Sequence, residues 1–228
     1  MTGLFATALH CPLCLAGDCC AWAQDQRRSY WRCATCQLIF ADPASLLAAD
    51  AELAVYQHHQ NDPADSRYRG FLARLATPLL QRLGRSGLAG LDFGSGPGPT
   101  LSLMLEEAGQ QMAIFDPYFA NDPAVLRQHY DFICATEAIE HFYQPAQEWA
   151  LWLQMLQPGG WLALMTKLTD EVDFASWHYK NDPTHVSFFS RATFQYLAER
   201  DGFLLEFIAA DVILLQRCPA LSKCEQQN

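Results

Sequence analysis

The chain has 228 residues, half of them hydrophobic and 18% charged, which suits one large domain or one ordinary domain with a small appendage and excludes disordered and collagen-like classes. Fifteen Lys and Arg against 25 Asp and Glu leave a formal charge of −10, which argues against a general affinity for nucleic acid or anionic membrane. The longest apolar stretches, Phe203 to Ile208 and Val212 to Leu215, fall well short of the roughly 20 residues that span a bilayer. Residues 1–10 carry neither the basic start nor the apolar run of a secretory signal, so a cytoplasmic location is expected.

Four of the nine cysteines stand as Cys11-x-x-Cys14 and Cys33-x-x-Cys36, with 18 residues between the pairs. In a reducing compartment that spacing reads as metal ligation rather than disulfide pairing. Two tight knuckles offer four soft ligands to a tetrahedral zinc, and strand-like residues flank the second one, Ser29 to Arg32 before it and Leu38 to Phe40 after it. The pattern resembles a zinc ribbon over residues 1–42. Cys11, Cys14, Cys33 and Cys36 would hold one structural Zn2+ with no position open for water. The alternatives are that Cys19 or Cys20 replaces a ligand, or that the thiols are simply reduced. Residues 43–66, which include His58-His59-Gln60-Asn61-Asp62-Pro63, read as a polar, irregular linker.

From residue 67 to 218 helix and strand signals alternate. A helix is predicted over Tyr68 to Leu83, with Pro78 able to kink it. A strand over Gly87 to Phe93 runs into Gly94-Ser95-Gly96-Pro97-Gly98, and a helix follows from Thr100 to Ala108. Strands are predicted at Met112 to Phe115, ending at Asp116, at Tyr130 to Ala135, near Glu137, and at Trp161 to Thr166. Helices are predicted over Pro145 to Leu156, stopped by Pro158-Gly159-Gly160, and over Ser190 to Arg200. Phe203 to Ile208 and Val212 to Gln216 read as a hairpin, and 219–228 as a tail. The order implies an α/β fold, a Rossmann-like, mostly parallel sheet with an antiparallel C-terminal hairpin, plus the small N-terminal zinc ribbon.

Alternating glycines after a buried strand let the backbone approach a ligand, and the following helix presents unpaired amides. Pro99 breaks the dinucleotide pattern G-x-G-x-x-G, leaving Asp-x-Gly-x-Gly-x-Gly. Leu91 to Pro99, Asp116, Tyr130-Asp131-Phe132-Ile133 leading to Glu140-His141, and Leu156 to Gly160, in that order, resemble class I S-adenosylmethionine-dependent methyltransferases. The resemblance implies that Gly94, Ser95, Gly96 and Gly98 line the methionine part of S-adenosylmethionine and that Asp116 accepts both ribose hydroxyls. It places Asp92 at the loop or the cofactor ammonium, and Glu137 in the same crevice. Asp116 also reads as a turn former before Pro117, and Asp92 as a structural cap. Only 13 residues separate Asp116 from Tyr130. A helix over Pro123 to His129 nearly fills them, so the family's third strand is expected to be short or absent and its adenine-contacting residue is unassigned.

Methyl transfer needs an aligned acceptor and sometimes a base. Glu137 to His141 and the loop Trp177 to His185 are placed to supply these groups, with His185, Tyr179 and His141 as candidate catalytic or orienting residues. His141 equally reads as a tie to a neighbouring loop, and His185 as a tie to the sheet. His178 and the His58-His59 pair read as surface or packing residues. Zinc ribbons fused to methyltransferases occur in enzymes of ribosomal RNA and of small molecules. With a neutral ribbon and an acidic chain, a small-molecule acceptor is favoured over RNA or protein. The rival class is a non-catalytic scaffold that keeps the cofactor fold.

Overall fold

The computed structural model of the chain describes residues 9–58 and 61–219. Most of the expected tail, most of residues 1–10 and His59 therefore lie outside the described residues. The cysteine-rich segment folds as β1 (Cys19–Gln24), β2 (Ser29–Cys33) and β3 (Ile39–Ala41), an antiparallel meander with Cys19 facing Cys33 and Trp31 facing Phe40.

Residues 43–66 are not irregular throughout, because α1 (Ala49–Tyr56) lies within them. Its alanines and leucine favour a helix, and Asp50 and Glu52 in the first turn favour the helix dipole. The helix α2 (Ser66–Leu83) starts at Asp65, whose side chain accepts from the Arg67 amide, and runs unbroken through Pro78. The next elements are β4 (Ala89–Phe93), α3 (Thr100–Glu107), β5 (Gln111–Phe115) and β6 (Tyr130–Thr136). After them come α4 (Pro145–Met155), β7 (Leu156–Met165), β8 (Ser187–Phe188), α5 (Arg191–Asp201), β9 (Phe203–Phe207) and β10 (Val212–Arg217). Ser190 caps α5 in a reciprocal pair with Thr193.

The main sheet has the order β5-β4-β6-β7-β10-β9, with β5, β4, β6 and β7 parallel and β10 antiparallel to both of its neighbours. This is the α/β architecture expected, antiparallel hairpin included. Alternate side chains of each strand enter opposite layers, as the period of two requires. Leu91, Ile133, Leu162, Leu164 and Ile213 pack with Trp149 and Trp152 of α4 and Phe194 of α5. Phe132, Ala163, Met165 and Leu214 pack with Leu72, Leu75 and Leu79 of α2 and Leu101 of α3. Between Asp116 and Tyr130 there is only a single 3-10 turn, Val125–Arg127, in place of the longer helix expected, and no third strand.

The small sheet does not end at β3. β8, from the far end of the chain, pairs with it antiparallel, Ile39 facing Phe188 and Phe40 facing Ser187. Phe188 is 1% exposed and stands edge-on to Tyr30 and Phe174, with ring centroids 5.9 and 5.5 Å away. Phe188→Ala should therefore cost about 3–5 kcal/mol. Chemical denaturation should show a midpoint well below wild type, and an unchanged midpoint would mean that this junction carries no stability.

Candidate active site

The loop after β4 turns back at Gly94 and Gly96, with φ of 77° and 64°, a region that side chains adopt only with strain. The Gly94 amide donates to the Phe115 carbonyl at 2.8 Å, tying the loop to the end of β5. Asp116 follows directly. Its Oδ2 accepts from the Gly96 amide at 2.9 Å and its Oδ1 from the Tyr118 and Phe119 amides at 2.8 and 3.0 Å. A carboxylate offers about four acceptor sites, so Oδ2 keeps capacity for a ligand hydroxyl.

A Cβ on Gly98 would lie 2.0 Å from the Asn61 carbonyl oxygen, so the bare backbone there also permits the close approach of the segment before α2. Asp92 is buried behind the loop. Burial pushes its carboxyl up to about 7, against the Ser102 amide and with the Asp116 charge adding to the rise. Its Oδ1 and the Ser95 Oγ are buried with no hydrogen-bond partner among the described residues, two polar atoms that fit a polar ligand.

The loop opens into a cavity of about 730 Å³, within the range of small-molecule sites. Gly94, Ser95, Gly96 and Asp116 line one side, and Glu137, His141 and His185 another. Five carboxylate residues line it (Glu52, Asp116, Glu137, Glu148 and Asp182), and no Lys or Arg does so among the described residues. Glu137 closes β6 at φ 47°, with its amide donating to Met165 at 2.8 Å. Strain of this kind at a cleft marks a backbone held for position. Burial pushes the Glu137 carboxyl up to about 7, opposed by the Lys167 ammonium and the Tyr179 hydroxyl.

Behind Glu137 lies Glu140, wholly buried and pushed up to about 8 first by burial and then by the Glu137 charge. Tyr179 donates its hydroxyl to Glu140 Oε1 and lies 3.3 Å from Glu137 Oε2, while Thr166 donates to Glu140 Oε2 at 2.9 Å. Burial and these carboxylates push the phenol far above its ordinary range, which suits Tyr179 to orienting them and not to accepting a proton. The His185 Nδ1 lies 2.7 Å from the Tyr179 carbonyl, and the His141 Nδ1 3.2 Å from that of Thr184. A carbonyl only accepts, so Nδ1 carries the proton in both rings and Nε2 the lone pair. Burial lowers the His185 pKa, with Asp182 opposing, and keeps that lone pair available. The two rings stand 4.7 Å apart, and Tyr56 lies edge-on to His141. His178 is exposed, beside Lys167.

The ribbon reaches this loop from outside. The Arg28 guanidinium donates to the carbonyls of Lys180, Asp182 and Pro183, and Arg27 to that of Asn181 at 3.1 Å. The Lys180 ammonium, 5% exposed, meets Asp25 Oδ2 at 2.7 Å. Burial alone would raise Asp25, but Lys180 and the amides of Arg27 and Arg28 hold it well below the usual carboxylate range. In the ribbon itself, Cys11, Cys14, Cys33 and Cys36 bring their sulfurs within 4.8 Å of one another, with Cys11 to Cys36 at 3.5 Å and Cys14 to Cys33 at 3.4 Å. Four sulfurs about 2.3 Å from one ion stand about 3.8 Å apart, so the cluster fits a metal. Cys19 and Cys20 are outside the cluster.

The family model of the methyltransferase domain matches residues 56–206, and the chain belongs to that family. It is the S-adenosylmethionine-dependent class that the ordered motifs resemble. No curated protein matches the chain. Among solved structures it is similar to the 1,6-didemethyltoxoflavin-N1-methyltransferase of Burkholderia thailandensis with bound 1,6-didemethyltoxoflavin and S-adenosylhomocysteine, at 14% identity and a TM-score of 0.49, covering 87% of this chain and 99% of that one. It is also similar to magnesium protoporphyrin IX methyltransferase of Synechocystis PCC 6803 with bound S-adenosylmethionine (15%, 0.48, 74% and 90%). A third is the PH0226 protein of Pyrococcus horikoshii OT3 (15%, 0.49, 73% and 99%).

Sequence reasoning passed over two groups at this site. Glu52 and Tyr56 arrive on α1, with Glu52 accepting from Tyr56 and Tyr118 at 2.7 and 2.8 Å. An alanine-rich run with an acidic first turn was the available signal. Glu140 was visible only as part of its motif. Removing the clasp tests how the loop is held. Charge-assisted hydrogen bonds contribute about 1.5–3 kcal/mol each, so Arg28→Ala should speed amide exchange over residues 178–186 about tenfold or more while β4 and β6 keep their protection. Unchanged exchange there would mean that the loop holds itself.

Proposed function

We propose that the protein transfers the methyl group of S-adenosylmethionine to a small-molecule acceptor, and that the four-cysteine cluster holds one structural zinc. The observation that carries the reading is a single cavity with a glycine turn and a strand-end carboxylate on one side and two imidazoles on another. The unpartnered Ser95 Oγ and Asp92 Oδ1 fit the polar end of the cofactor, and Asp116 fits its ribose. Bound there, the cofactor supplies an electrophilic methyl on a sulfonium. The chain's own residues bind and orient. Asp116 and the glycine loop fix the nucleoside and methionine ends, and the surrounding carboxylates favour the positive charge. His185 and His141 present ring lone pairs on the acceptor side, and Tyr179 sets the two glutamates.

An acid-lined cavity in a chain of net charge −10 disfavours RNA, whose phosphates it would repel. Residues 1–42 serve as the ribbon, 43–66 as a connection that also reaches the cleft, and 67–218 as the transferase domain.

Titration calorimetry should show S-adenosylhomocysteine binding to wild type. Loss of a charged acceptor contributes about 1.5–3 kcal/mol, so Asp116→Ala should weaken that binding about tenfold or more. No binding to wild type would sink the reading, and equal affinities would remove Asp116 from the site. Metal analysis of protein purified under reducing conditions should find close to one zinc per chain, and Cys33→Ser should lose it. A disulfide among the four cysteines in reduced protein would contradict the zinc.

A further inference from the structure

Glu140, His141 and His185 come from two separate segments, yet their ligating atoms all lie within 4.8 Å of one another. Each is held as a ligand would be. Two hydroxyls, from Tyr179 and Thr166, aim the Glu140 carboxylate, one to each oxygen. Backbone carbonyls fix both imidazoles with the proton on Nδ1, which places the ring lone pair on Nε2. Outer partners of this sort, carbonyl to histidine and hydroxyl to carboxylate, are what set tautomer and direction around metal ligands.

The charge balance points the same way. Glu137 shares the Tyr179 hydroxyl with Glu140, Asp182 lies 3.9 Å from His185 Nε2, and the cavity has no basic side chain in its lining among the described residues. Lys167 and Arg74 offset part of the Glu137 charge without lining the cavity, and the Lys167 ammonium lies over the Tyr179 ring, 5.1 Å from the centroid, beside exposed His178. Buried carboxylates without a cation are costly.

We propose that Glu140, His141 and His185 hold a divalent cation on the acceptor side of the cleft, with Glu137 beside it and coordination positions left toward the cavity for water or an acceptor oxygen. The mixed nitrogen and oxygen donor set suits a first-row ion such as Mn2+, Fe2+, Co2+ or Zn2+. It differs from the all-sulfur ribbon cluster, which Mn2+ binds poorly, so Mn2+ reports on this site selectively. The proposal rests on the acceptor-side reading of the cleft given above, and the cation is separable from the cofactor by experiment.

The test uses the full chain with its ribbon metal in place, titrated with Mn2+ and followed by electron paramagnetic resonance, with S-adenosylhomocysteine binding measured in parallel. One Mn2+ per chain is expected, bound at least tenfold more weakly in His141→Ala and in His185→Ala, with S-adenosylhomocysteine affinity kept. Pulsed spectra of the wild-type complex should show nitrogen couplings from the two imidazoles, a readout that needs no variant to fold. No Mn2+ bound at millimolar concentration, equal binding in both variants, or a complex without nitrogen coupling would overturn the site. If wild type takes Mn2+ as described but no S-adenosylhomocysteine, the methyltransferase reading fails and the cation site stands. If it takes S-adenosylhomocysteine but no Mn2+, the reading stands and the site fails.

Discussion

The Arg28 guanidinium determines where the loop that carries His185 can stand. Its donors reach three consecutive-region carbonyls, those of Lys180, Asp182 and Pro183, and Nε reaches the Tyr30 hydroxyl at 2.9 Å. The planar fork suits such convergence, because several acceptors are met by one group that loses little freedom. Lys180 makes the same junction from the other side. An ammonium this buried is tolerated only with a partner, and Asp25 of the ribbon is that partner. Breaking either contact leaves buried polar groups exposed to desolvation without compensation, so ribbon and loop hold together or loosen together. The ribbon is too small to fold on its own apolar core. A metal in the cysteine cluster would therefore act on the cleft at one remove, by holding the hairpin from which Arg28 and Asp25 project.

Inside the cleft the dominant constraint is negative charge at low dielectric. Glu137 and Glu140 are crowded together by the turn after β6; burial pushes both carboxyls toward the protonated form, and the Glu137 charge pushes Glu140 further. Hydroxyls from Tyr179 and Thr166 reduce the cost without removing it, since a neutral donor offsets less than an opposite charge. The positive backbone dihedral at Glu137 adds strain at the same point.

The parts legible in the sequence were those fixed by local chemistry. The glycine loop, Asp116 at a strand end, the paired cysteine knuckles and the C-terminal hairpin each occupy a short window, and spacing alone was enough to place them. Length arithmetic foretold the missing third strand. Contacts between distant segments were hidden. Nothing in Ser187-Phe188 announces that it continues the ribbon's sheet, because two residues carry no periodicity. The pairing is specified only by Ile39 and Phe40 being present across from it. Gly98 shares a pattern with Gly94 and Gly96, and what that pattern does not show is the Asn61 carbonyl, which packs against it from 37 residues upstream. Tyr179 was expected as a catalytic or orienting group from its loop position alone, and its hydrogen bonding to Glu140 and its closeness to Glu137 were not legible there.

The short connection after Asp116 has a structural answer in the same hidden class. Asp116 and Ala120 form a bridge that closes the turn at once, with no room for a strand and helix to wall that side of the cavity. Tyr118, carried on this turn, donates instead to Glu52 of α1, and Tyr56 of the same helix meets both Glu52 and the His141 ring. A helix from before the transferase core thus supplies wall that the shortened core leaves out. The ribbon holds the His185 loop, α1 reaches the cavity beside His141, and Asn61 lies on the glycine loop. Three successive parts of the first 66 residues therefore bear on the cleft from three directions. Changes in that N-terminal third, and not only in the sheet that carries Asp116 and Glu137, should alter the shape of the cavity.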